Sequence, residues 1–368
     1  MLFAELKKIW RPGVVLLVLL VSVLFFFSFL YQWIKPFTWE NDSFNTEIGI
    51  LSDWITEYGN YIDDEEFNQI VENYNSILSQ AASVIGEDSY FEENGIKDYE
   101  EYLQYAQNAI NGYEGYNYNV YTDMRSLILQ NTGYSSIYLQ EYESIMQHYK
   151  DAGNGSSSVL PHTVMRYTNN YLVYLTILCL VCAFFMSAIV MVSDQSSNVV
   201  AAQYSSKRGK KIYQMQYFAM VGSSILIVSI IVTIGLSAWK STGVMVFADS
   251  DLKSFLNTQN PVIDLTYGKY IALFVAMIYL LAIGMSSIIF CLSAHSSNMI
   301  AMLLKTIPVL VVGCIVALLL QDVFFEENVI YHLLKIKYGE VLVVLIFFVT
   351  GIFLNMGNYK FLKRRDCL

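Results

Sequence analysis

Six stretches of this 368-residue chain stay apolar over lengths that approach or exceed the roughly 20 residues a helix needs to cross a ~30 Å hydrocarbon layer. They run from Gly13 to Ile34, Tyr171 to Val192, Tyr217 to Trp239, Tyr270 to Leu292, Met299 to Leu320 and Val341 to about Tyr359, the last diluted by Asn355 and Asn358. A chain with 55% apolar and 15% charged residues and a mean hydropathy of +0.42 belongs to the membrane class. The pattern predicts an all-α polytopic membrane protein with six transmembrane helices.

The first run follows Lys7, Lys8 and Arg11, as the core of a secretory signal would. It outlasts the roughly 7 to 15 apolar residues of such a core and continues through the bulky FFFSFLYQWI. It reads as an uncleaved helix with a cytoplasmic N-terminus. Loops rich in Lys and Arg stay on the cytoplasmic side. With six spans and an inside start, the inner segments hold twelve basic and three acidic residues, and the outer segments ten basic and twenty-nine acidic, in a chain of net charge −10. A shift by one span would put KRGKK, Lys207 to Lys211, outside and the acidic region inside, against that bias. Both termini are therefore expected in the cytoplasm. Cys179, Cys182, Cys291 and Cys314 lie in or at the ends of spans and Cys367 in the tail. An exterior without cysteine points to a bacterial cell membrane, Gram-positive by preference, rather than a eukaryotic secretory route.

Three parts follow: residues 1–34, an interfacial helix and the first span; residues 35–168, an acidic, mostly helical extracellular domain; and residues 169–368, the remaining spans with a cytoplasmic loop at 193–216. In MLFAELKKIW, Leu2, Leu6, Ile9 and Trp10 recur at helical spacing while Glu5, Lys7, Lys8 and Arg11 face the other way, which suits a short helix in the membrane interface ended by Pro12 and Gly13. Trp33, Trp39 and Trp239 fall at the outer ends of spans, where amphipathic rings are favoured. Within the exterior domain, Phe67, Ile70, Val71, Tyr74, Ile77, Leu78, Ala81, Val84 and Ile85 share one face of a helix ending near Gly86. KDYEEYLQYAQNAI and SSIYLQEYESIMQHYK read as further amphipathic helices, NGYEGYNYNVYTD as irregular chain, and DAGNGSSSVLP as a flexible lead into the second span. FFEENVIYHLLKIK suits a short helix before the last span.

Enzyme signatures are lacking. No GxxxxGK followed by Ser or Thr occurs, since SSKRGKK lacks both the first glycine spacing and the final hydroxyl, so the chain is not expected to hydrolyse ATP itself. No HExxH or GxSxG occurs, and His148, His162, His295 and His332 are scattered over segments on both sides of the membrane, so no metal site and no catalytic residues are assigned. The CxxC of Cys179 and Cys182 lies on a lipid-embedded helix without neighbouring ligands. The DDEE run, Asp63 to Glu66, opens a helix, where negative charge is favoured by roughly 0.3 to 1 kcal/mol per residue. Ion-driven carriers place ionisable residues near the bilayer midplane, and here only Lys305 lies within a span, close enough to the cytoplasmic end to snorkel. Pro308, three residues on, is expected to kink that helix. Any transport would draw its energy from elsewhere.

These parts resemble the permease subunit of ABC-2-type, or type V, ATP-binding cassette exporters. The resemblance covers most of the membrane region: the interfacial start, six spans with both ends inside, a large exterior insertion after the first span and one substantial cytoplasmic loop between the second and third. The family's loop places an acidic residue after span two, then an apolar stretch, small residues and a basic cluster; Asp194, NVVAAQY, SS and KRGKK stand at those places. The family more often has Glu followed by Gly, and Pro where Lys207 stands. The resemblance implies a dimer, with a second copy or a homologous permease, and a separate cytoplasmic ATPase subunit that binds ATP and Mg, leaving this chain no cofactor of its own. It implies that the loop couples the two, through Asp194, Gln203, Tyr204, Lys207, Arg208, Lys210 and Lys211, with Glu5 and Lys8 of the interfacial helix touching the same partner. Lipid is the other partner, and nucleic acid is not one.

The exterior region carries fifteen tyrosines and a strong negative charge. Two readings stand: a surface that attracts a cationic amphipathic peptide such as a bacteriocin, exported or resisted, and a solvated acidic surface that keeps the domain soluble. For the whole chain, the alternative to the exporter subunit is a membrane receptor or scaffold that binds a ligand through the exterior domain and docks a signalling protein on the basic loop. A macrolide-exporter type of permease has four spans, against six here.

Overall fold

A computed structural model describes residues 2–38, 43–153, 157–196, 209–296 and 298–365, with the side chains of residues 2, 43–44, 189–196, 209–211 and 362–365 outside that description. About 80% of the described residues are helical, with no strand among them. Among the described residues six helices are long and apolar enough to cross a membrane, the architecture of an all-α polytopic protein. The chain divides into two compact units: Met1–Pro36 with His162–Ala248 and Gln259–Leu368, and Phe37–Pro161 with Asp249–Thr258.

In the first unit, α1 (Leu2–Ile9) is followed by α2 (Pro12–Phe25), whose first turn takes Pro12 where a missing N–H costs nothing. A π-helical turn, Phe26–Leu30, joins α2 to α3 (Tyr31–Ile34).

The second unit comprises α4 (Ser43–Tyr58), α5 (Asp64–Glu87), α6 (Ser89–Glu93), α7 (Tyr99–Ile110), α8 (Tyr118–Thr132) and α9 (Ser136–Ala152). Asp63 caps α5: its Oδ1 accepts the N–H groups of Glu65 and Glu66, each at 2.9 Å, while Glu66 accepts the Asp63 N–H. The DDEE run is thus built into a helix start. Phe67, Ile70, Tyr74, Ile77, Ala81 and Ile85 bury the expected face of α5. Two segments differ from the sequence expectation. NVYTD is the first turn of α8, which opens under the Asn117 side chain and buries Tyr121, Met124 and Ile128. Ser157 to Pro161 is not a loose lead: Ile62 N–H donates to Ser157, Val159 N–H donates to Asn60, and the Ser254 hydroxyl donates to Ser158 while accepting from Leu160. Apolar Val159 and Leu160 are fully buried there, which gives the extended backbone a reason to stay.

The first unit resumes with α10 (His162–Ser196), α11 (Gly209–Lys240), α12 (Tyr267–Ser293), α13 (Met299–Leu319), the short α14 (Val329–Leu334) and α15 (Gly339–Arg365). Helices α10 and α12 form the centre, packed on each other and against α11 and α13, with α15 laid along α12. Gly284 and Gly351 let α12 and α15 approach backbone to backbone. In contrast α2 keeps Leu16, Leu19, Leu20 and Leu24 exposed, as a helix facing hydrocarbon would. Helix α13 is helical on both sides of Pro308. Trp239 is not an interfacial ring: it is 1% exposed, stacks on Tyr171 at 4.7 Å and donates from Nε1 to Tyr267. The buried indole N–H finds a partner inside the bundle, so it gains nothing from a wet headgroup layer. Trp39 lies outside the described residues.

Candidate functional site

Helix α1 packs against α11 and α10, and the end of α10 and the start of α11 flank residues 197–208, which lie outside the described residues. Glu5 is the pivot of that packing. Only 9% exposed, its carboxylate accepts from Lys8 Nζ at 3.0 Å on one oxygen and from Gln216 Nε2 at 3.2 Å on the other. Five residues along, Trp10 Nε1 donates to Ser223 Oγ at 3.0 Å. Two polar contacts seven residues apart on α11, two helical turns, therefore fix the amphipathic α1 along it. A carboxylate this buried costs free energy unless its oxygens are met, and here both are.

A second layer ties α11 to the rest of the bundle. The Tyr213 hydroxyl donates to Asn355 Oδ1 at 2.9 Å and accepts from Asn358 Nδ2 at 3.0 Å. Asn355 Nδ2 in turn donates to the carbonyls of Ser287 and Gly351, at 2.6 and 2.9 Å. Tyr217 meets the Ser287 hydroxyl at 3.1 Å, and both tyrosine rings flank Phe290. Satisfied polar networks of this kind, surrounded by apolar side chains, hold one geometry. The start of α11 is thereby joined to α1 on one side and to α12 and α15 on the other. Lys305, expected to reach for headgroups, is exposed and donates to the His295 carbonyl at 2.8 Å, which closes the turn between α12 and α13.

Of the residues singled out from sequence, Glu5 and Lys8 are brought together. Asp194 is on the last turns of α10 and Lys210 and Lys211 on the first turn of α11, with their side chains outside the description. Gln203, Tyr204, Lys207 and Arg208 lie outside the described residues. Gln216, Ser223 and Tyr213 were not legible as site residues. A signal did exist for Asn355 and Asn358: two amides one turn apart in an otherwise apolar span mark an inward polar face. The chain matches no protein-family model, no curated protein and no solved structure.

Proposed function

We propose that the chain is the membrane-spanning subunit of an ABC-2-type exporter, driven by a separate cytoplasmic ATPase subunit that docks on the 193–216 loop. In this reading two such subunits pair, the basic end is cytoplasmic, and the acidic unit is exterior, where it meets an exported or resisted peptide or amphipathic small molecule. The observation that carries the reading is the double attachment of α11. Its start, adjoining the KRGKK segment, is pinned to α1 through Glu5 and Gln216 and to α12 and α15 through Tyr213, Asn355 and Ser287. A movement imposed on the loop reaches α10 and α11 through the backbone. The polar network then passes it to the neighbouring helices as a rigid-body displacement rather than dissipating it in one flexible turn. Lys207, Arg208, Lys210 and Lys211 supply positive charge for encounter and register with the partner.

The test is recovery of the companion. Tagged full-length chain, purified in mild detergent from its own cells, should bring down a protein with a phosphate-loop motif. The double variant Lys207→Glu/Arg208→Glu should lose most of that companion while remaining in the membrane. Undiminished recovery would confine the cluster to setting topology, and the lack of any ATPase companion would favour the receptor or scaffold.

A further inference from the structure

The second unit has a cleft of about 800 Å3 with walls from α4, α5 and α9. Tyr134, Tyr138 and Tyr142 follow one another along one wall, with ring centroids 4.9 and 5.8 Å apart, and Trp54 meets Tyr142 edge-on at 5.2 Å. Asp53 and Glu57 stand four residues apart on α4, hence on one face of it, and both are exposed. The lining has no Lys, Arg or His, and neither carboxylate has an ion-pair partner among the described residues. Burial first, then the neighbouring Tyr134 and Asp53, push the Tyr138 hydroxyl up to about 12, so the ring stays neutral.

Each chemical class of ligand meets this lining differently. An anion would face two carboxylates and no positive charge. A metal ion prefers several converging oxygens with charged ligands among them, whereas no group of three or more His, Cys, Asp or Glu side chains occurs among the described residues and four of the side chains lining this cleft are aromatic. An organic cation is served by both components: ring faces carry negative electrostatic potential and tolerate a weakly hydrated charge, while the carboxylates supply the formal counter-charge. We propose that this cleft binds an organic cation, an ammonium or guanidinium group seated on the half-exposed rings of Tyr134 and Tyr138 against Asp53 and Glu57, with Tyr142, buried against Trp54 and Tyr74, backing them. That the cation belongs to the exporter's cargo rests on the reading above; the binding itself does not.

Two sources share that chemistry, a Lys or Arg side chain of a peptide and a free quaternary amine. Calorimetry on the full-length chain in lipid nanodiscs at physiological ionic strength would use two probes: a short Arg-containing peptide amide, with its citrulline counterpart as the uncharged control, and tetramethylammonium chloride. Saturable binding of at least one cation is expected, and which one binds identifies the source. Asp53→Asn/Glu57→Gln and Tyr138→Leu should each weaken it about tenfold, and Tyr138→Phe, which keeps the ring face, much less. Glu100→Gln/Glu114→Gln removes the same charge from exposed positions outside the cleft and should change binding less than about twofold. Equal losses in the cleft and control variants would reduce the effect to a diffuse acidic surface and overturn the proposal, as would no saturation by either probe. ATPase recovery from the same preparations reports separately on the exporter reading.

Discussion

Gly284 and Gly351 offer a perturbation whose size follows from geometry. A Cβ placed on Gly284 would stand 2.7 Å from the Phe348 Cα and 2.9 Å from its backbone N, where ordinary contact begins at 3.4 Å. The obstacle is the main chain of α15, which cannot rotate aside, so α12 and α15 must part by about 0.7 Å along a crossing that other side chains fill. Overpacking of this kind costs ~1 to 3 kcal/mol. Alanine also returns up to ~1 kcal/mol of helix propensity, which would blur the result if the variant were compared with wild type alone. Gly222, exposed on α11 with nothing within 4 Å of a built Cβ, receives the same gain without the clash. The difference between Gly284→Ala and Gly222→Ala therefore isolates packing, ~1 to 3 kcal/mol or roughly 5- to 150-fold in the unfolding constant. The assay is unfolding of purified full-length chain titrated from mild detergent into dodecyl sulfate, followed by circular dichroism. Gly351→Ala should be at least as severe, since its Cβ would collide with the Gly284 carbonyl oxygen. The double variant should cost less than the sum, because one separation relieves both clashes. Gly284→Ala as stable as Gly222→Ala would refute the reasoning.

The polar end makes a second prediction. Gln216→Leu deprives the buried Glu5 of a donor, at a cost of ~1 to 3 kcal/mol, and amide exchange in residues 2–10 should quicken while α12 is unchanged; unchanged exchange at α1 would contradict the docking described. Alkaline titration gives a third. Burial, aided by Glu143 at Tyr74 and by Tyr134 and Asp53 at Tyr138, pushes both hydroxyls up to about 12, against ~10 in an unfolded chain. The raised folded values mean that the stability these groups contribute is whole below pH ~10 and lost as pH rises through about 12. Tyrosinate absorbance of the native full-length chain should thus show a late-titrating class that disappears on denaturation, and a single class at the ordinary position would contradict it.

The spans were legible because hydrocarbon imposes one crude requirement, sustained apolarity, which a single residue cannot hide. α5 was legible too, since its buried face repeats without interruption from Phe67 to Ile85. Two helices of the acidic unit were not: α4 carries Gly49 in its middle and, among its described side chains, buries only Ile50, Leu51 and Trp54, and α8 disguises its face as Tyr121, Met124 and Ile128 within a Tyr- and Asn-rich stretch. Nothing local announces that residues 249–258 join residues 37–161, because the tie is made by Ser158 and Ser254, 96 positions apart. The same holds for the polar end. Amphipathy exposed α1 and charge marked Glu5, but Gln216 is an ordinary polar residue until the fold sets it 211 positions away against that carboxylate.

The proposed exporter role requires the basic loop and the acidic unit to lie on opposite sides of the membrane, the loop within reach of a cytosolic ATPase. The most direct measurement is labelling of intact cells with a membrane-impermeant maleimide, using chains stripped of their five cysteines and carrying Ser206→Cys or Glu114→Cys. Glu114→Cys should be modified in whole cells and Ser206→Cys only after lysis. Modification of Ser206→Cys in sealed cells, with Glu114→Cys protected, would reverse the orientation and remove the coupling role assigned to the loop.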